Sequence, residues 1–453
     1  MKQAEAEEIL KMGHNVLLTG PAGCGKTFLL NRYIKYLKDH GIDVGVTAST
    51  GLAASHLNGR TIHSWSGINV AKSITDLNMK KLLKNNRLRS RVRAAKVLVI
   101  DEVSMLSATQ LDLINYVCQA FKQDIRPFGN LQIVLCGDFF QLPPIGRGDS
   151  ADSRFVTESI VWPQMDLKIC YLEEQHRQQD GEFLEILENI RAARSSPKIF
   201  ETLQRRLNEP LKTKIRPTKL YTHKADVGAE NDVELNKLPG QSETYLMNSN
   251  GPSRLVKSLK ESYCLAAETL VLKKGAVVMF VKNNFERGYI NGNLGKVVDF
   301  DFATRLPIVE TFNGQRILAE PESWGVEEGD KIIASVCQVP LRLAWAITVH
   351  KSQGMTLDCA EIDLSKSFAF GMGYVAMSRV RSFAAMKLIG LNKLALQVDK
   401  KVVAFDKTLR KKSAQDLKMV LKKAKTEIEK LKAGFIKENK EGFVEDNLFG
   451  DFV

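Results

Sequence analysis

Four short, predominantly apolar runs mark the first third of the chain: Val16–Thr19, Val44–Ala48, Val97–Ile100 and Ile133–Cys136. Continuous rather than alternating hydrophobicity is the mark of strands buried on both faces. Helical patterns such as Phe28–Asp39 and Thr109–Phe121 lie between them. This alternation predicts a parallel sheet covered by helices on both sides. A polar, basic stretch, Asn69–Arg93, interrupts the pattern and reads as an insertion. The pattern changes near Trp162–Leu172, and Glu182–Arg194 has the period of an amphipathic helix. Thr269–Val339 then carries short strand-like runs punctuated by Gly and Asn: Ala276–Val281, Gly295–Phe300, Leu306–Thr311, Arg316–Ala319 and Lys331–Val336. Closely spaced strands with turn signals predict a small barrel. The α/β character returns at Leu341–Ile347 and Glu361–Leu364, which predicts a second α/β domain with a small β domain inserted into it. Lys400–Val453 is rich in Lys and Glu and reads as an exposed charged helix followed by an acidic end.

Composition narrows the function. A chain of 453 residues predicts two to four domains at roughly 100–200 residues each. Lys plus Arg number 65 against 52 for Asp plus Glu, a formal charge of +13. That surplus favours a polyanionic partner, with a solvated basic surface as the plainer alternative. The seven cysteines lie singly and form no C-x-x-C pair. They suggest neither a zinc nor an iron–sulfur site and fit a reducing compartment. No apolar run reaches the roughly 18 residues that cross a membrane. Met1–Leu10, with Glu5, Glu7 and Glu8, does not have the pattern of a signal or transit peptide.

The chemistry begins at Gly20-Pro21-Ala22-Gly23-Cys24-Gly25-Lys26-Thr27, which fits the phosphate-loop pattern G-x-x-x-x-G-K-S/T between a strand and a helix. Glycines let backbone N–H groups close around phosphates, and the helix N-terminus adds partial positive charge. Lys26 is the candidate for the β and γ phosphates of ATP, and the Thr27 hydroxyl for magnesium. Cys24 fills a free position, where a packing role outweighs a redox one. Asp101-Glu102 ends the apolar strand Val97–Ile100. Asp101 is assigned to the magnesium shell and Glu102 to the attacking water. These motifs define only a P-loop NTPase, a class shared by kinases, AAA-type machines and helicases. Gly137-Asp-Phe-Phe-Gln141-Leu-Pro-Pro144 follows another strand and places Gln141 to sense the γ-phosphate.

Asp101-Glu102-Val-Ser-Met and Gly-Asp-x-x-Gln-Leu-Pro-Pro resemble motifs II and III of superfamily 1 helicases. Thr47–Ala54 resembles motif Ia, and Gly59–Gly67 the segment after it. Leu111–Gln132, with Arg126-Pro-Phe-Gly129, resembles the signature of the Pif family, the 5′-to-3′ DNA helicases of superfamily 1B, whose nearest relatives are RecD-type enzymes. Glu174-Gln-His-Arg177-Gln resembles motif IV, and Leu220–Asp226 with Asn231 the family's next strand and helix. Leu341–Gly354 resembles motif V, and Tyr374-Val-Ala-Met-Ser378-Arg379-Val-Arg motif VI. The similarity runs in order from about Gln3 to Leu391.

The resemblance implies two RecA-like P-loop domains with parallel sheets, a small wedge insertion in the first and an SH3-like β-barrel insertion in the second. The expected extents are 1–175, with the wedge at about 59–93; 176–268 with 337–395; 269–336 for the SH3-like part; and 396–453 for a charged helical tail. Arg177 and Arg379 are expected as arginine fingers from the second domain. Gln3 stands where the family carries an adenine-reading glutamine, although terminal disorder is an equal alternative. Thr47, Ser49 and Thr50 from the first domain, and Thr348, His350, Lys351 and Ser352 from the second, are expected to contact the phosphates of single-stranded DNA. His63 and Trp65 are candidates for base or sugar contacts, and Trp65 reads equally well as core. Trp345 reads as core. Lys273, Lys274, Lys282, Lys296 and the loop Asn283–Gly292 are expected to cover the exiting strand.

The resemblance thus implies an ATP- and magnesium-dependent helicase acting in genome maintenance, as a monomer on single-stranded, forked or folded DNA. Its expected location is the cytoplasm of a prokaryote or phage-infected cell, or the nucleus or mitochondrion for a eukaryotic core. Two alternatives carry weight: a translocase that remodels protein–DNA complexes without unwinding, and a RecD-like nuclease-complex subunit. Pro127–Gly129 and the lack of a nuclease carboxylate cluster disfavour the second.

Overall fold

The computed structural model describes residues 1–69, 71, 73–143, 154–178, 180–194, 197–211, 217–260, 264–284, 286–311, 314–328 and 331–440. Pro144, part of the expected insertion (Val70, Lys72), Phe285 in the loop Asn283–Gly292, and the acidic end after 440 lie outside these residues.

The early apolar runs form the predicted parallel sheet. Its strands are β1 (Val16–Thr19), β2 (Val44–Ala48), β3 (Arg60–Thr61), β4 (Val97–Asp101), β5 (Gln132–Gly137) and β6 (Lys168–Tyr171). They are ordered β3-β2-β4-β5-β1-β6, with every neighbour parallel. Period-two side-chain direction divides the apolar residues between two cores. Val16, Leu18, Val97, Val99, Val134 and Cys136 pack under the helices Gln3–Lys11 and Lys26–Asp39. Leu17, Leu98, Ile100, Ile133 and Leu135 pack on the other face, under the helix Ala108–Lys122.

The segment read as a polar insertion contributes to that second core. Arg60–Thr61 is the sheet's edge strand, and the helix Asn86–Ala94 buries Leu88 and Val92. Trp65 is 3% exposed and packs in the same core, so the reading of it as a base contact is corrected. Gly45 leaves the space for its indole, since a Cβ there would lie 2.7 Å from Trp65 Cζ2.

Beyond residue 217 the chain makes β7 (Thr218–Tyr221), β8 (Glu243–Leu246), β9 (Asn248–Asn250), β10 (Thr269–Leu272), β11 (Val277–Phe280), β12 (Leu294–Phe300), β13 (Pro307–Thr311), β14 (Arg316–Leu318), β15 (Glu322–Glu328), β16 (Lys331–Gln338), β17 (Leu341–Leu343), β18 (Ala346–Thr348), β19 (Ala360–Leu364) and β20 (Met386–Leu391). The second parallel sheet is β18-β7-β19-β20. Between its strands sit an antiparallel sheet β14-β13-β12-β11-β17, a pair β10-β8 and a three-stranded sheet β15-β16-β9. Two details differ from the sequence reading. The run Leu341–Ile347 splits, giving β17 to the small sheet and β18 to the parallel one, and Lys331–Val336 pairs with β15 and β9 rather than with the five-stranded sheet. Among the described residues no helix is long and apolar enough to cross a membrane.

The charged C-terminal segment is not simply an exposed helix. Its first helix, Lys400–Leu421, lies along β6 and caps that strand's open edge with side chains. Asp416 Oδ2 accepts from Ile169 N–H at 2.8 Å, and Ser413 Oγ from Tyr171 N–H at 3.1 Å. Sheet edges left open invite foreign pairing, and here buried polar side chains close one. The second helix, Lys425–Lys440, packs Phe435 against Gly13, with Ile428 and Ile436 on the core beneath the helix Gln3–Lys11. Asp416→Ala should lower the unfolding free energy by about 1–3 kcal/mol by orphaning the Ile169 N–H. Urea denaturation measures this, and an unchanged midpoint contradicts the capping role.

Candidate nucleotide cleft and nucleic-acid track

Each side of the cleft follows from a local backbone requirement. Gly20, Gly23 and Gly25 turn the chain from β1 into the helix Lys26–Asp39 with φ of +145°, +88° and +83°. A Cβ at Gly23 would lie 2.7 Å from Arg177 Cβ, so the bare glycine lets the Arg177 segment close on the loop. At Gly25 a Cβ would run into the Gln3 amide, whose Nε2 donates to Cys24 O at 3.3 Å and lies 3.2 Å from His176 Nε2. Gln3 is thus ordered on the loop. Cys24 is fully buried. Lys26 Nζ donates to the carbonyls of Gly20 (2.9 Å) and Pro21 (3.0 Å). Burial works against its charge, but neighbouring groups, Cys24 and Asp138 foremost, outweigh it and hold its pKa well above the ordinary lysine value.

Asp101 and Glu102 sit where β4 ends. Asp101 is 5% exposed and accepts from the Glu102 N–H at 2.8 Å. Burial raises the pKa of both carboxyls, and the neighbouring Asp101 charge adds to that of Glu102, which reaches about 7. Glu102 is also held at φ +52°, a left-handed conformation that costs a non-glycine residue about 1–3 kcal/mol and clusters at functional sites. Gln141 is 6% exposed; its Nε2 lies 3.5 Å from Asp138 Oδ2, while its Oε1 has no hydrogen-bond partner among the described residues.

The second half closes the cleft with two arginines. Arg177 Nη1 donates to Ser378 O at 3.1 Å. Arg379 is 1% exposed and donates to Val375 O (2.8 Å) and Ser378 Oγ (2.7 Å). Burial, then the Arg177 charge, pushes the Arg379 pKa down to about 10. A cavity of about 710 Å³ is lined from one side by Ala22, Gly23, Gly25, Lys26, Thr27, Glu102 and Gln141, and from the other by Arg177 and Arg379. Gly20, Pro21, Cys24 and Asp101 lie in or beneath the loop rather than on the lining.

Several groups here escaped the sequence reading. Gln353, inside the stretch resembling motif V, donates to Glu102 Oε2 at 3.0 Å from the opposite half. Tyr374, at the head of the motif VI stretch, receives the Ala22 N–H at 2.9 Å and donates to Asp138 Oδ2 at 3.0 Å. Arg191 Nη1 donates to Asp138 Oδ1 at 2.6 Å. Only the positions of Gln353 and Tyr374 within quoted motifs hinted at them.

The expected strand-contacting residues divide. Thr47 is fully buried and donates its hydroxyl to Val99 O at 2.6 Å; Ser352, also fully buried, donates to Val349 O at 2.8 Å. Their side chains are committed to the core, so both are corrected as phosphate contacts. Ser49 donates to Glu102 O, while the Thr50 and Thr348 hydroxyls cap short helices. His63 Nε2 faces Gln110 Nε2 at 3.0 Å, and burial lowers its pKa. Lys351 is pushed down to about 7 by burial, then by the charges of Arg342 and Lys224. Phe368, absent from the sequence reading, is 55% exposed between the rings of His350 and His223, with centroids 6.0 and 5.0 Å away. The loop Asn283–Gly292 reaches the first half, where Ser55 Oγ donates to Asn291 O at 3.2 Å. Trp345 is core, as expected.

Two parallel sheets flanking one P-loop cleft define a protein of the two-domain helicase-like class. The family model "PIF1-like helicase" matches residues 2–195, and "DNA helicase Pif1, 2B domain" matches residues 255–300. The chain is 43% identical to the ATP-dependent DNA helicase Pif1 of Psychrobacter sp. (strain PRwf-1), covering 88% of this chain and 69% of that protein. The crystal structure of Pif1 helicase from Candida albicans superposes with a TM-score of 0.84 at 33% identity, covering 90% of this chain and 98% of that one. That of Pif1 helicase from Bacteroides in complex with ADP-AlF3 and ssDNA gives 0.76 at 28% identity, covering 90% and 96%. The chain belongs to the PIF1-like helicase family. It spans 69% of the Psychrobacter protein and 62–64% of several other curated relatives.

The raised Glu102 pKa has a consequence for stability. With a folded value of about 7 and an unfolded one near about 4.3, the protonated carboxyl is favoured by folding, and stability falls as pH rises through this window. Glu102→Gln should therefore be more stable than the parent at pH 8, with the gain shrinking toward pH 4. Thermal melts across pH measure it, and a constant difference contradicts the assignment.

Proposed function

We propose that this chain hydrolyses ATP in the cleft and couples the closing of its two halves to 5′-to-3′ movement on single-stranded DNA, separating duplex, forked or folded DNA. The observation that carries the reading is one cavity with Lys26 and Glu102 on one side and Arg177 and Arg379 on the other. Hydrolysis concentrates charge on the γ-phosphoryl oxygens, and a guanidinium supplied across a cleft stabilises it by about 10³–10⁵ in rate. Closure then becomes a condition of turnover.

The Glu102 carboxylate takes the proton of the attacking water, and Gln141 Oε1 orients that water. The Gln3 amide reads the adenine edge. Thr27 and Asp101 offer the oxygen donors that magnesium prefers, and the ion would supply charge neutralisation at the phosphates.

On this reading the two motor halves are 1–175 and 176–268 with 337–395, with 269–336 as the SH3-like insertion and a wedge at about 59–93. The strand runs past Ser49, Thr50 and His63 on one half and Thr348, His350 and Lys351 on the other, acting on a monomer. Phe368 offers a ring for base stacking. The relatives named for ATP-dependent DNA unwinding, and the Bacteroides complex with a nucleotide analogue and ssDNA, support the reading.

Single-stranded DNA should stimulate the ATPase strongly, and substrates with a 5′ overhang should be unwound. Unwinding from a 3′ overhang alone contradicts the polarity. Lys26→Ala should abolish hydrolysis while leaving strand binding within about twofold, and retained turnover contradicts the site.

A further inference from the structure

A continuous chain of polar contacts, buried except at its far end, leads out of the cleft. It starts at the P-loop amide of Ala22, which donates to the Tyr374 hydroxyl at 2.9 Å. Tyr374 donates to Asp138 Oδ2 at 3.0 Å and receives Arg191 Nη1 at 3.2 Å. Asp138 is fully buried and holds several groups at once: Arg191 at 2.6 Å, the Phe140 N–H at 3.2 Å and the Gln141 amide at 3.5 Å. The other Arg191 nitrogen, Nη2, donates to Tyr171 Oη at 3.0 Å and pairs with Asp406 Oδ1 at 3.3 Å. Tyr171 also donates to Asp406 Oδ1 at 2.7 Å, and Arg410 closes the end through Asp406 Oδ2 at 2.8 Å. The chain therefore joins the P-loop, the strand end bearing Gln141, the helix that carries Tyr374, and the C-terminal helix Lys400–Leu421.

We propose that the C-terminal helix sets the hydrolytic geometry of the cleft, with Asp406, Arg191 and Tyr374 acting as positioning residues for Gln141 and the P-loop. This rests on the proposed ATPase reading and extends it to a part of the chain remote from the nucleotide. The physical ground is charge balance. Arg191 is 5% exposed, and a buried guanidinium is costly unless anions pair with it. Asp138 supplies one side and Asp406 the other. Removing the Asp406 charge leaves Arg191 drawn to Asp138 alone. Asp138 is then pulled away from Tyr374 and Gln141, and the Ala22 amide loses its fixed acceptor. Asp138, Arg191, Tyr374 and Asp406 are absent from the cavity lining, so the effect falls on the geometry of Gln141 and the P-loop in the transition state rather than on ADP binding.

The test compares the affinities of ADP and ADP–aluminium fluoride for the full chain in the presence of single-stranded DNA. Interactions made only in the transition state strengthen the fluoride complex selectively. Asp406→Asn keeps the shape and one acceptor oxygen while removing the charge, and Tyr374→Phe keeps the ring. Both should leave the ADP affinity within twofold and weaken the fluoride complex by about tenfold or more, roughly the scale of one misplaced catalytic contact. An unchanged ratio in both variants overturns the proposal, and so does an equal weakening of the two ligands, which is what a merely structural role produces. A selective loss in Tyr374→Phe alone also overturns the part played by the C-terminal helix. An ATPase indifferent to DNA would count against the motor reading only, because the affinity ratio is read without turnover.

Discussion

Two guanidinium groups facing one cleft, Arg379 buried and Arg177 half-buried, are the constraint on which the rest of this structure depends. Arg379 is withdrawn from solvent and its charge is opposed both by burial and by Arg177 beside it. Glu102 is the nearest compensation, and its own pKa is raised toward neutrality. Such an arrangement is expensive in a dry interior and becomes favourable when more negative charge enters. A nucleoside triphosphate brings that charge. The P-loop glycines, the strand ends and the second parallel sheet can all be understood as holding these groups in place until it arrives. Gly23 illustrates the economy, since it serves the loop's φ of +88° and the approach of Arg177 together.

The cleft is also where the two halves communicate. Gln353 reaches across to Glu102, and Tyr374 to the Ala22 amide. These are single hydrogen bonds, each worth about 0.5–1.5 kcal/mol net. Contacts of that size can be exchanged when nucleotide changes state. The apolar cores beneath the sheets cannot, because central strands such as β1, β4 and β5 are buried on both faces. Movement is thereby confined to the seam, which also carries the chemistry.

Much of this was legible in the sequence because it obeys local rules. Continuous apolar runs revealed β1, β2, β4 and β5 of the first sheet, though not β3 or β6, and the glycine spacing revealed the loop. Ordered motifs brought Gln141, Arg177 and Arg379 to a common site. What stayed hidden depended on which face a polar residue turns. Thr47 looks available on a strand end, yet its hydroxyl satisfies the carbonyl of Val99 on the neighbouring strand. Trp65 looked equally suited to a base and to the core until Gly45 was seen to leave room for it. Ser413 and Asp416 disguised a packed helix as an exposed one, because their polarity is spent on the edge of β6. Tyr374, Asp138 and Arg191 come from distant parts of the chain and meet only when both halves are folded.

The central claim is that catalysis depends on charge delivered across the cleft from the second half. Single-turnover hydrolysis of ATP bound to the DNA-loaded protein tests it most directly, with Arg177→Ala and Arg379→Lys compared with the parent. The account predicts a fall of about 10³-fold or more in the hydrolysis rate, with ATP affinity changed far less. Rates within about tenfold of the parent in both variants would contradict it.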